Sequence, residues 1–287
     1  MNDIRIIDTH CHLDFNELKT RLDEVVKDAK TNNVTDMVTI STNLSRIDTI
    51  KDISEQYQEV FFTVGVHPNE AHKDKQYDDH HFIENYSNHE KCVGIGEGGL
   101  DYFYNMDNMK LQKRSLEVQI NVARSTNLPM IIHSRDADND MIEILKSEYK
   151  NGPFRAILHC FSSGEELAYC GLDLDFFISF SGILTFNSAK NIQKIAKNIP
   201  LSKILVETDS PYLAPSPVRG SVNEPKNCLH TAQFLSKLRN INFFDLSDTQ
   251  CKKKKLLADY HGIALTKCFA DEDPRSKEII KYLNKIY

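Results

Sequence analysis

Imidazoles and carboxylates recur in this chain at positions where their spacing can do chemistry. His10 and His12 flank Cys11 in a stretch that reads as extended chain. Side chains two apart on a strand share a face, so both imidazoles point one way and Cys11 the other. A pair of imidazoles on one face suits a divalent cation. His67, His133 and His159 each close an apolar run. Taken singly, His133 and His159 fit a metal ligand or a hydrogen-bonded structural histidine equally, because a polar group at the end of a buried strand needs a partner. Glu97 lies in Gly94-Ile95-Gly96-Glu97-Gly98-Gly99. The glycines do not read as a nucleotide loop, since Leu100-Asp101-Tyr102 does not open a helix. They let the backbone approach a site closely, and Glu97 can then bridge two cations with its two oxygens. Asp209 precedes Ser210-Pro211 and reads as a ligand or a base, with Glu207 on the same strand face supporting it.

Strands must deliver these residues to one place. Eight short apolar runs recur along the chain: Ile4–Thr9, Met37–Ser41, Val60–Val66, Cys92–Glu97, Met130–His133, Arg155–His159, Phe176–Ser179 and Lys203–Thr208. Segments of helical patterning lie between them, among them Leu18–Thr31, Met109–Thr126, Met141–Glu148 and Ala189–Asn198. Alternation of strand and helix implies parallel strands joined by crossovers, and eight units are enough to close an α/β barrel of the (β/α)8 TIM type. The carboxyl ends of all its strands share one face, where His10, His12, His67, Glu97, His133, His159 and Asp209 would meet. A proline-rich loop with Pro211, Pro215, Pro217 and Pro225 follows the last run, and then a C-terminal helical extension. Lys252–Lys255 within it reads as a solvated helix face. Residues 1–287 read as a single barrel domain.

Composition bounds the function. The chain has 287 residues, with 40% apolar and 26% charged, which is ordinary for a globular domain. No run is long enough for a membrane helix, and the first residues do not read as a secretory signal. The seven cysteines lack C-x-x-C spacing, so reduced thiols and a cytoplasmic setting, with the nucleus as the alternative, are expected. A net charge of −6 argues against a broad basic surface for duplex nucleic acid. It leaves a phosphodiesterase open, because bound cations supply positive charge locally. No protein partner can be inferred.

Taken in order, seven segments resemble the TatD family of metal-dependent deoxyribonucleases in the amidohydrolase superfamily. They are D-T-H-C-H-L-D (8–14), G-V-H-P (65–68), G-I-G-E-G-G-L-D-Y (94–102), H-S-R (133–135), H-C-F-S-S-G (159–164), E-T-D-S-P-Y-L-A-P (207–215) and R-G-S-V-N-E-P (219–225). The resemblance implies two divalent metal ions. His10, His12, Glu97 and Asp209 would hold one, and Glu97, His133 and His159 the other. It suggests magnesium, whereas mixed nitrogen and oxygen ligands suit zinc or manganese by intrinsic preference. The implied activity is that of a nuclease, most naturally a deoxyribonuclease or exonuclease acting on DNA, with RNA also open as substrate. The segment at 159–164 carries an extra serine, at Ser162-Ser163, and Gly220-Ser221-Val222 stands where basic residues are usual.

In that reading Asp209 is the general base and Glu97 ties the two metals together. His67 contacts the phosphate or assists the leaving group, and Arg135 and Arg219 bind phosphate oxygens as bidentate donors, although surface ion pairs fit either arginine equally. An alternative is a metal-dependent esterase or deacylase, such as one removing D-amino acids from transfer RNA. A metal-bound nucleic-acid module without turnover is a further alternative, and the full ligand set speaks against it.

Overall fold

The computed structural model describes residues 4–74, 76–104, 106–247 and 249. The expected helical extension begins with a helix at Cys228–Arg239, whereas Lys252–Lys255 and the residues after them lie outside the described residues. Strand and helix alternate: β1 (Ile6–Cys11), α1 (Asn16–Lys19), α2 (Leu22–Thr31), β2 (Val34–Thr39), α3 (Ile47–Gln56), β3 (Val60–Val64), α4 (His80–Ser87), β4 (Cys92–Asp101), α5 (Met109–Thr126), β5 (Met130–Arg135), α6 (Asp138–Lys150), β6 (Ala156–Leu158), α7 (Glu165–Asp173), β7 (Phe177–Phe180), α8 (Lys190–Asn198), β8 (Ile204–Val206) and α9 (Cys228–Arg239). The eight strands pair in parallel in chain order. The ring closes between first and last: Asp209 N donates to His10 O at 2.9 Å, and His12 N donates to Ser210 O at 2.8 Å. This is a (β/α)8 barrel.

Local chemistry explains the punctuation. The Asp79 side chain accepts from Phe82 N at 3.0 Å and starts α4. Asn127 ends α5 in the left-handed region at φ 58°, a conformation asparagine tolerates. The helical segment expected at Leu18–Thr31 divides into α1 and α2, because Arg21 leaves helical geometry at φ −137° and ψ 37° while its guanidinium reaches Glu224.

Two apolar regions hold the barrel. The larger one lies between strands and helices and includes Ile6, Cys11, Met130, Ile132 and Leu158. A smaller one of Ile131, Ile157 and Leu205, with Phe177 against it, belongs to the alternate positions of β5, β6 and β8 and fills the barrel interior. Strand periodicity of two then fixes what stands above it. Two residues beyond Ile131, Ile157 and Leu205 come His133, His159 and Glu207. One turn of the pleat separates an apolar floor from a polar layer.

Strand β4 runs four residues beyond the expected end at Glu97, to Asp101. Its pairing with β5 slips between Ile95 and Gly98 and resumes as Gly99↔His133, Leu100↔Ser134 and Asp101↔Arg135. Glycine permits this continuation. A Cβ on Gly99, at φ +154°, would lie 1.9 Å from His133 O.

Gly99→Ala is therefore expected to cost about 2 kcal/mol or more, since strained backbone alone costs about 1–3 kcal/mol. Gly220 also has positive φ, +91°, but a Cβ there meets nothing within 4 Å, so Gly220→Ala should cost less. Denaturant unfolding of both variants checks the ranking. Equal losses would show that contact with the β5 backbone is not what demands Gly99.

Candidate metal centre

Glu97 is 2% exposed and sits among imidazoles from other strands. Its Oε2 faces His10 Nε2 at 3.3 Å. Its Oε1 faces His159 Nε2 at 2.7 Å, His133 Nδ1 at 3.0 Å and His67 Nε2 at 3.5 Å. Asp209 Oδ1 lies 3.4 Å from His12 Nε2 and 3.6 Å from His10 Nε2. The His10 and His159 rings stack at 3.9 Å between centroids. The six residues His10, His12, Glu97, His133, His159 and Asp209 thus converge, with one Glu97 oxygen on each side of the cluster. His10, His12 and Asp209 bring donor atoms within 4.8 Å of one another, as do His10, Glu97 and His159.

The donor set fits divalent cations. Among the described residues His10 Nε2, which faces Glu97 and Asp209, is buried and makes no hydrogen bond. Buried polar atoms without partners are costly, and a cation bound by the imidazoles removes part of that cost. Behind the imidazoles stand further carboxylates. Asp101 Oδ2 is 3.3 Å from His133 Nε2, and Glu207 Oε1 is 3.5 Å from His159 Nδ1. His133 and His159 can thus each present one nitrogen to Glu97 and turn the other to a carboxylate that fixes its orientation. Glu207 Oε1 also accepts from Cys160 N at 2.7 Å, which ties it to the turn after β6. Asp101 is not marked by the spacing of the histidines and carboxylates. The glycine-permitted extension of β4 carries it beside His133, and no spacing in the sequence signals that. His67, Asp101 and His133 also group closely enough for a cation, but a carboxylate holding His133 from behind accounts for that proximity.

Electrostatics divides the groups. Burial would raise the Glu97 pKa, but His159, His67 and His10 outweigh it and hold the carboxyl well below its ordinary value of 4.5. Asp209 is likewise lowered, with burial opposed chiefly by the hydrogen bond from His12. Burial would lower His159, yet Glu97 and Glu207 push it well above 6.5. Against the same burial, Asp101 and Glu97 raise His133. His67 goes down to about 3, with burial the main cause, and is neutral. Its Nδ1 accepts from Asn69 N at 3.0 Å, so its proton sits on Nε2, the atom that faces Glu97.

A cavity of ≈ 1650 Å³ opens above the cluster and is lined by His12, His67, Glu97, Asp101, His133, Arg135, His159 and Asp209, among others. Arg135 lies on its wall with the guanidinium over the Phe103 and Tyr104 rings, 4.0 and 4.7 Å from their centroids. Arg219 is not among the lining residues; it is exposed, over the Phe186 ring at 3.5 Å. No helix among the described residues is long and apolar enough to cross a membrane.

Comparison with known proteins gives the same outline. A family model described as "TatD related DNase" matches residues 7–254. An uncharacterized metal-dependent hydrolase of Buchnera aphidicola is 38% identical over 251 residues, covering 84% of this chain and 94% of its own. The uncharacterized metal-dependent hydrolase YabD of Bacillus subtilis is 35% identical over 252 residues, covering 88% of this chain and 98% of its own. The crystal structure of YjjV, a TatD homologue of Escherichia coli, superposes with a TM-score of 0.82 at 24% identity, covering 88% of this chain and 98% of that one.

Glu97→Ala should weaken binding at both cation positions, whereas His133→Ala should weaken chiefly one. Calorimetric titration with Mn or Zn decides this, and unchanged two-ion stoichiometry and affinity in Glu97→Ala would exclude a bridging role. Apparent metal affinity should also rise with pH. The raised pKa values of His159 and His133 favour imidazolium in the metal-free protein, and a cation must displace those protons. The rise should continue above pH 6.5, where ordinary imidazole is already neutral, by up to about tenfold per pH unit for each proton displaced. A profile that is flat from pH 6.5 upward would contradict it.

Proposed function

Since this chain belongs to the TatD family of metal-dependent hydrolases, we propose that it is a nuclease that hydrolyses phosphodiester bonds of DNA, with RNA as a second polymer. The observation that carries this reading is the placement of Glu97, with one buried oxygen toward each half of a histidine cluster beneath a wide, open cavity. His10, His12, Asp209 and Glu97 Oε2 would hold one divalent cation, and Glu97 Oε1, His133 and His159 a second. Bound there, the cations supply the positive charge that neutralises a phosphodiester and acidifies water. Magnesium is the metal the family resemblance suggests, and the nitrogen-rich ligand set also suits manganese or zinc. The cations also answer the net charge of −6, which would otherwise repel a polyanion.

The chain's own residues divide the remaining work. Asp209 stays ionised, and its carboxylate is positioned to accept the proton that an attacking water gives up. His67 is neutral with its proton on Nε2, so it donates a hydrogen bond to a phosphate or leaving-group oxygen. Asp101 and Glu207 keep His133 and His159 turned toward Glu97. Arg135 adds a cationic side chain to the cavity wall.

A metal-by-substrate matrix tests the reading. Chelated protein is reloaded with Mg, Mn or Zn and offered DNA, RNA and aminoacyl-transfer RNA. Nucleotide release that needs added metal is expected. Release of the amino acid with the polymers left intact would replace the nuclease with a deacylase.

Asp209→Asn keeps the shape and one ligating oxygen but loses the charge. kcat is expected to fall by roughly 10²–10⁴-fold, the range for a lost general base, while the position built on His133 and His159 stays filled. Turnover, metal content and melting temperature are read on the same preparation. A folded, metal-loaded Asp209→Asn protein with near-normal kcat would remove Asp209 from catalysis.

A further inference from the structure

Among the described residues most large hydrophobic side chains are covered, yet several exposed ones crowd one rim of the cavity. Phe103, Tyr104 and Met106 are 56%, 65% and 61% exposed and follow directly after β4. Apolar side chains exposed together, rather than singly, mark an interaction surface. The Phe103 and Tyr104 rings meet edge to face, with centroids 4.7 Å apart and planes at 90°. Arg135 braces both rings by cation–π contact. The loop is also pinned: Asp101 Oδ1 accepts from Phe103 N and Tyr104 N, both at 3.1 Å. The other oxygen of the same carboxylate faces His133. The rings are therefore held at a fixed offset from the metal centre, and Tyr104 and Met106 line its cavity.

The charges on the two arginines of this cavity differ in availability. Arg46 pairs with Asp14 at 2.8 Å. Arg135 has aromatic neighbours and, among the described residues, no carboxylate partner. An exposed aromatic face beside a guanidinium without a carboxylate partner among the described residues, next to cation sites, complements one nucleotide: a base with a planar face and a phosphate with negative charge.

We propose that Phe103 and Tyr104 form a nucleobase platform, on which a base of the substrate strand stacks while Arg135 meets a phosphate beside the scissile one. The proposal rests on the nuclease reading and adds the part of the substrate that this rim recognises. Stacking is tolerant of sequence because every base has a π-face, so the platform grips a strand without reading it.

The test compares metal-loaded wild type with Phe103→Ala/Tyr104→Ala on a single-stranded oligonucleotide and on bis(4-nitrophenyl) phosphate, which has no base. The ratio of kcat/KM for oligonucleotide to that for ester should fall roughly 5- to 150-fold, mainly through KM, as expected for stacking of about 1–3 kcal/mol per base. Tyr104→Phe, which keeps the ring, should retain the wild-type ratio. Circular dichroism and metal content confirm that the variants are folded and loaded. An unchanged ratio in the double variant, with the oligonucleotide still cleaved, would overturn the platform and leave the nuclease standing. If wild type cleaves the ester but no oligonucleotide, the nuclease reading has failed, and binding alone decides the platform. The sequence contains no tryptophan, so Phe103→Trp introduces a single reporter. Its fluorescence should be quenched by oligonucleotide in the metal-loaded Asp209→Asn background. Absence of quenching at oligonucleotide concentrations that saturate binding would overturn the platform directly.

Discussion

A carboxylate that is 2% exposed survives as an anion only where neighbouring charge replaces the water it has lost, and for Glu97 His159 foremost supplies that charge. The imidazoles that surround it come from β1, from the loop after β3, from β5 and from the turn after β6, so no local segment could build the cluster. A closed ring of parallel strands solves the problem by turning sequence separation into short distances across one face. Cations bound among these groups would complete the compensation that the imidazoles begin.

The barrel interior is layered to support this. Ile131, Ile157 and Leu205 fill the space beneath, and the next inward positions of the same strands are His133, His159 and Glu207. The apolar layer excludes water from below, which strengthens charge interactions above it. It also leaves the imidazoles little room to turn, and Asp101 and Glu207 restrict them further. The cavity above stays open.

Much of this arrangement was legible in the residue pattern. The eight apolar runs correspond to the eight strands, because buried parallel strands are continuous and β-branched and stand out from the helices between them. His10 and His12 were readable as a pair because their spacing equals the strand period. The sequence pattern ends the fourth strand at Glu97, because glycine weakens a strand by propensity, yet here glycine lets β4 press against the β5 backbone and continue to Asp101. Asp101, four residues beyond Glu97, shares its strand face, but it reaches His133 only because β4 continues past the glycines. The arginines illustrate a different limit. Their charge is visible in sequence, but their direction is set by packing: Arg135 rests on Phe103 and Tyr104 at the cavity, whereas Arg219 lies over Phe186 away from it.

The seam that closes the ring is made by residues of the cluster itself, through the bonds from Asp209 N to His10 O and from His12 N to Ser210 O. The partners lie about two hundred residues apart, so the join carries the largest loop-closure entropy in the barrel and forms late if the chain folds as it is synthesised. His10 and His12 emerge first and wait for Asp209. A nascent chain that has not yet reached β8 therefore holds an incomplete ligand set, and the hydrolytic centre comes into being only when the last strand docks against the first.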